Sequence, residues 1–161
     1  MAGKDRVYSF DTSALIDGIE RYYPIGNFPA LWEKIDDLIE DGRMRVSEEA
    51  WKESIGADAP LKEWCNESGA DRSKCIYQTD AAVATIAGAI VQDYPKWIKQ
   101  GGKNSADPFV IAVGEVTSGI VISGETNGGP GTPKIPYVCG QRGVEHGRVV
   151  DVVVKEKWVF L

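Results

Sequence analysis

Histidine and cysteine are scarce in this 161-residue chain: there is one histidine, His146, and three cysteines, Cys65, Cys75 and Cys139. No CxxC pair and no zinc-type ligand spacing occurs, so a zinc site is disfavoured, and an odd number of thiols argues against a disulfide scaffold. Nothing in the sequence pairs His146 with a nucleophile. No apolar run approaches the ~18 residues of a membrane span. Residues 1–6 lead straight into a strand with no apolar signal core, so a cytoplasmic location is expected. The net charge of −6 lacks the cationic excess of general nucleic-acid binders, and any nucleic-acid surface must be local. Repeats and interdomain linkers are also missing, and a single domain over residues 1–161 is expected.

What the chain does have is acidic residues placed just after short apolar strands. Val7-Tyr8-Ser9-Phe10 is followed by Asp11, Met44-Arg45-Val46-Ser47 by the acidic run from Glu48 to Glu53, and Gly119-Ile120-Val121-Ile122-Ser123 by Gly124 and Glu125. Asp107 opens the helix that leads into the last of these strands. The apolar spacing predicts strands at 6–10, 44–46 and 119–123 and helices over about 13–20, 48–55, 79–91 and 106–118, with another that has Pro29 in its first turn and is ended by Asp41-Gly42, and a further helix starting near Pro60. Thr12 or Ser13 is expected to cap the first helix and Ser105 the helix at 106–118. Residues 67–74 read as a polar loop, 127–132 as a flexible glycine loop and 135–140 as a short helix. The tail from Val149 to Leu161 is ambiguous between strand and helix. The alternation gives the fold class α/β: a three-layer α/β/α domain with a central, mainly parallel sheet.

In an open α/β sheet, ligands bind at the carboxyl ends of the strands. The helix at 106–118 runs about 18 Å and the strand at 119–123 returns about 16 Å, which brings Asp107 and Glu125 to one sheet edge. Asp11 joins them if the first and last strands are parallel. Glu49 and Glu53 share a helix face. Glu53 is preferred as the second acid and Glu49 is kept as a possible accessory, because a first-turn acid is favoured by the helix dipole alone. Gathered carboxylates repel one another and raise each other's pKa. Mg²⁺ or Mn²⁺ relieves that penalty and favours such hard oxygen ligands. The expected catalytic set is therefore Asp11, Glu53, Asp107 and Glu125, with Asp11, Asp107 and Glu125 as metal ligands and Thr12 and Ser123 as orienting hydroxyls. Water activated by metal would be the nucleophile. Each acid also has a plainer reading: a helix cap for Asp11, a first-turn acid for Asp107, turn polarity for Glu125 and a solvated surface residue for Glu53. Lys96, Lys99 and Lys103, at helix-like spacing before Asp107, are possible RNA contacts or simply a solvated face. Tyr22, Tyr23, Phe28 and Trp32 read as a packed cluster more readily than as a base-stacking platform.

At Phe10-Asp11-Thr12-Ser13, Val46-Ser47 with Glu53, Ala106-Asp107-Pro108-Phe109-Val110-Ile111-Ala112 and Val121-Ile122-Ser123-Gly124-Glu125 the sequence resembles a PIN domain, the ribonuclease fold of VapC-type toxins. It is closer still to an uncharacterised PIN-like family whose hallmarks resemble Arg21-Tyr22-Tyr23-Pro24, Phe28-Pro29-Ala30-Leu31-Trp32 and Lys134-Ile135-Pro136-Tyr137-Val138-Cys139. The resemblance implies a Mg²⁺- or Mn²⁺-dependent endoribonuclease, a hydrolase of RNA phosphodiesters. It further implies the toxin of a toxin–antitoxin pair, often a homodimer, held by a cognate antitoxin protein. Glu125 stands where many PIN domains carry Asp, and the loop after it is unusually rich in glycine. A catalytically inactive PIN-like binding module and a structure-specific DNA nuclease are the alternatives.

Overall fold

Among the described residues, five short strands and eight α-helices follow one another along the chain. The computed structural model describes residues 5–98 and 105–161. Lys99 and Lys103 lie outside these residues. In order, the elements are β1 (Tyr8–Phe10), α1 (Thr12–Ile16), a π-helical turn (Asp17–Tyr22), α2 (Pro29–Glu40), β2 (Met44–Ser47), α3 (Glu48–Ile55), α4 (Leu61–Cys65), a 3₁₀ turn (Arg72–Cys75), β3 (Ile76–Tyr77), α5 (Ala81–Asp93), α6 (Asp107–Val116), β4 (Ile120–Ile122), α7 (Ile135–Arg142), β5 (Glu145–Gly147) and α8 (Val149–Glu156).

The strands form one sheet in the order β3-β2-β1-β4-β5, and every pairing is parallel. β1 pairs with β4 in the register Tyr8↔Ile120, Ser9↔Val121 and Phe10↔Ile122. The protein is thus an α/β fold with helices on both faces of an all-parallel sheet, as a three-layer sandwich requires. The chain builds outward from β1 through β2 to β3, then crosses back to β4. Between β1 and β4 the winding reverses, and crevices form at such reversals.

The central strands are fully buried, Tyr8 to Phe10 and Ile120 to Ile122 alike. Helix α6 covers them closely. A Cβ on Gly114 would lie 2.5 Å from Val121 Cγ2, so no larger residue allows this approach. Ser9 Oγ donates to the Val110 carbonyl at 2.8 Å and ties β1 to the same helix. Helix α2 starts at Pro29, which suits a first turn, and buries Leu31, Trp32, Ile35, Leu38 and Ile39.

Several local expectations change. Two strands, β3 and β5, have no apolar pattern to announce them: they are edge strands of two and three residues, carrying Ile76-Tyr77 and Glu145-His146-Gly147. The first helix ends at Ile16 and continues as the π turn. Asp11 itself caps α1, accepting from the Ser13 backbone N–H, and neither Thr12 nor Ser13 does so. Ala106, not Ser105, is the cap residue of α6, with no side-chain bond to its first turn. The polar stretch before β3 closes into the 3₁₀ turn and buries Arg72. The glycine loop is pinched by a bridge between Gly128 and Pro133. The tail is helical to Glu156, with Val149 and Val152 buried three residues apart on one face. No helix among the described residues is long and apolar enough to cross a membrane.

Candidate metal centre

Asp11 stands one residue beyond β1, and its backbone N–H continues the sheet by donating to the Ile122 carbonyl at 2.8 Å. It is 3% exposed. Its Oδ2 accepts from the Ser13 backbone N–H at 3.1 Å and from Ser13 Oγ at 2.5 Å. Ser13 Oγ in turn accepts from the Gly124 backbone N–H at 3.0 Å. The end of β1 and the end of β4 are therefore locked through one serine hydroxyl.

Asp107 is the first residue of α6 and is 5% exposed. Pro108 follows it and fixes the backbone into the helix. The Asp107 Oδ2 atom is buried without a hydrogen-bond partner. Leaving a buried polar oxygen unmatched costs about 1–3 kcal/mol and demands a reason. Glu125, half-buried beyond β4, accepts at Oε2 from the Ile135 backbone N–H at 3.2 Å, so it also holds the first turn of α7.

Oxygens of Asp11, Asp107 and Glu125 all lie within 4.8 Å of one another. Burial raises the pKa of each, and neighbouring carboxylates raise those of Asp107 and Glu125 further. Asp107 is pushed up to about 9, first by burial and then by the charges of Asp11, Glu125 and Glu53. Asp11 is raised by burial against the lowering effect of its Ser13 bonds. Glu125 is raised by burial and by Asp11, with partial relief from the Ile135 N–H and from Lys134. A cation of small radius at this point would remove the repulsion, satisfy Asp107 Oδ2 and allow all three acids to ionise. The donor set, three carboxylates with an orphaned oxygen among them, suits Mg²⁺ or Mn²⁺.

Glu53 lies at the solvent side of this group. Its Oε2 accepts from Thr12 Oγ1 at 3.2 Å. Burial and the Asp11 charge raise its pKa, with Thr12 and the Ala106 backbone opposing. Thr12 also donates to the Ala50 carbonyl at 3.2 Å, so its hydroxyl bridges α1 and α3 beside the acids. Glu49 is placed differently: both its carboxylate oxygens accept from Thr79 Oγ1, at 2.8 and 2.7 Å, which engages it ahead of α5. Glu49 and Glu53 are four residues apart, yet one is held by Thr79 and the other by Thr12. Lys96 is exposed beyond the end of α5.

Ser123 is fully buried, and its Oγ lies 3.0 Å from His146 Nε2 on the adjacent β5. It also accepts from the Glu125 backbone N–H at 3.4 Å. Burial and the neighbouring Arg148 lower the His146 pKa, so the ring is neutral at pH 7. The pair braces the strand end that carries Glu125. Sequence reading left His146 without a partner because β5 shows no strand pattern. It also passed over Arg148, whose guanidinium donates to the backbone carbonyls of Glu125 at 3.1 Å and Gly124 at 3.5 Å. Asp17, in the π turn, lies so near that a Cβ on Gly124 would come within 2.4 Å of its Oδ2. Only the pairing of β4 with β5 and the close approach at Gly124 reveal these residues.

No curated protein matches this sequence. Residues 8–160 match the model of a domain family of unknown function, DUF4411, and the chain belongs to that family.

Proposed function

We propose that this protein is a metal-dependent endoribonuclease with a PIN-like site, acting as the toxin of a toxin–antitoxin pair in the cytoplasm. The observation that carries the reading is the unpartnered, buried Asp107 oxygen set among Asp11 and Glu125 at the reversal of the sheet. Asp11, Asp107 and Glu125 would hold Mg²⁺ or Mn²⁺. When bound, such an ion lowers the pKa of water and stabilises the leaving oxygen of a phosphodiester displacement. The chain's own contribution is placement. Ser13 fixes Asp11 to the end of β4, Thr12 holds Glu53 toward the substrate side, and the Ser123–His146 pair steadies the approach to Glu125. Glu53, exposed and raised in pKa, is suited to exchange a proton with water or the leaving group. The three thiols are buried and pushed up to about 11 or 12, which suits a reducing compartment and gives them no nucleophilic role.

The test is cleavage of a mixed RNA panel, with structured DNA alongside, by the purified protein and by Asp11→Asn. Cleavage of RNA that requires Mg²⁺ or Mn²⁺, stops in EDTA and falls at least about a hundredfold in Asp11→Asn is expected. Metal binding by calorimetry without cleavage of any substrate would overturn the reading in favour of a binding module.

A further inference from the structure

Beside the acid cluster lies a cavity of about 420 Å³, lined by Asp17, Tyr22, Tyr23, Ser123, Arg148 and Val149 among others. That volume accepts a single nucleotide and falls within the range of small-ligand sites. We infer that it is the subsite for the unpaired nucleotide next to the scissile phosphate, with the base against Tyr22 and a phosphate on Arg148. The inference rests on the nuclease reading for its geometry, yet it makes a separate claim about binding.

The cavity and the carboxylates are joined through the end of β4. Ser123 and Arg148 line the cavity, and Arg148 Nη2 donates to the carbonyl of Glu125, itself one of the acids. A polynucleotide with one phosphate at the carboxylates would therefore place its neighbour over this strand end. Arg148 is 43% exposed on its side chain, and its aim is set by the Gly124 and Glu125 carbonyls and by Asp17 Oδ2 at 3.5 Å. A guanidinium carries five N–H donors, so donors remain for a phosphate, and its planar fork suits that ligand. Arg21 pairs with the other Asp17 oxygen at 3.1 Å, so the carboxylate between them is balanced by two cations.

Tyr22 supplies the second half of the site. It is 59% exposed although aromatic, and it ends the π turn, a local geometry that recurs at functional sites. Tyr23 beside it is fixed by an edge contact to Phe28, with ring centroids 5.4 Å apart, and its carbonyl accepts from the buried Trp32 indole at 2.7 Å. The four aromatics thus divide: Trp32 is core, Tyr23 is a braced wall, and Tyr22 and Phe28 are exposed, with Tyr22 on the cavity's lining. A face beside a guanidinium suits an unpaired base followed by its phosphate, and duplex bases cannot reach it.

The experiment is fluorescence anisotropy of a short, cleavage-resistant 2′-O-methyl single strand in EDTA, with the matching duplex as competitor. Wild type is expected to bind the single strand in preference. Arg148→Ala and Tyr22→Ala each weaken binding about tenfold, while Tyr22→Phe retains it. Circular dichroism checks that each variant folds. Equal binding by wild type and both alanine variants, no preference over duplex, or no binding by wild type overturns the subsite. If the wild type cleaves RNA but these affinities do not move, the subsite falls and the nuclease stands. If the affinities move and nothing cleaves RNA, the site stands as a single-strand binding site, and the nuclease falls together with the place beside a scissile phosphate.

Discussion

Around Arg72, the carboxylates of Asp36 and Glu67 meet a cation that the chain itself supplies. The guanidinium is 5% exposed and donates to Asp36 at 2.9 and 3.0 Å, to Glu67 at 2.7 Å and to the Trp64 carbonyl at 2.6 Å. It also stacks over the Trp64 ring at 4.5 Å. At the opposite extreme, Asp11, Asp107 and Glu125 converge with one oxygen unmatched and every pKa pushed up. The residues are of the same kind in both places, and the difference is whether the positive charge comes from within. Where it does, the group fastens α2 to the 3₁₀ turn. Where it does not, the group is held in place by Ser13, α6 and the Ile135 N–H, at a cost in stability that an external cation would offset.

Breaking the first group has the largest expected effect. Arg72→Ala leaves two carboxylates and a carbonyl without their donor. The partners are partly exposed, so the loss is about 2–3 kcal/mol, and thermal denaturation should show a fall of roughly 5–10 °C. The same experiment on the second group should have the opposite sign. Asp107 has its folded pKa near 9 against an ordinary 3.8. The folded state therefore holds a proton that the unfolded state has released, and stability present below about pH 4 is lost as pH rises toward 9. Metal-free Asp107→Asn should melt a few degrees above metal-free wild type at pH 8 and equal to it near pH 4. Millimolar Mn²⁺ should flatten the wild-type pH slope and leave the variant's midpoint unchanged; a variant that Mn²⁺ stabilises as fully as wild type would place the ion elsewhere. The finest comparison is between neighbours on α3. Thr12→Val, which frees Glu53, should lower cleavage about tenfold. Glu49→Gln, whose partner is Thr79, should change cleavage by less than about twofold and cost about 1 kcal/mol of stability, read by denaturant titration.

The central part of the fold was readable because burial writes itself into composition. Phe10, Val46, Val121 and Ile122 sit in apolar runs, and the acids that follow them mark strand ends. Asp11, Asp107 and Glu125 could be gathered from helix and strand lengths alone once the sheet was taken as parallel. The edges were not readable. Ile76-Tyr77 and Glu145-His146-Gly147 are too short and too polar to show a period, because an edge strand buries little. The choice of Asp11 over Thr12 or Ser13 as the cap was hidden because all three are good caps, and only the backbone decides. Arg148 was invisible for the same reason as β5: its importance comes from what lies opposite, at the end of the adjacent strand β4 and more than twenty residues away in sequence.

The sheet order has a consequence for biosynthesis. β1 waits in the middle of the sheet for β4, which arrives some 110 residues later in the chain, and Asp11 cannot meet Asp107 or Glu125 before then. A ribosome-bound chain that has emerged only as far as α5 carries Asp11 and Glu53 but no centre for a cation. Whatever chemistry the three acids perform is withheld from the nascent chain and switched on only by completion of the fold.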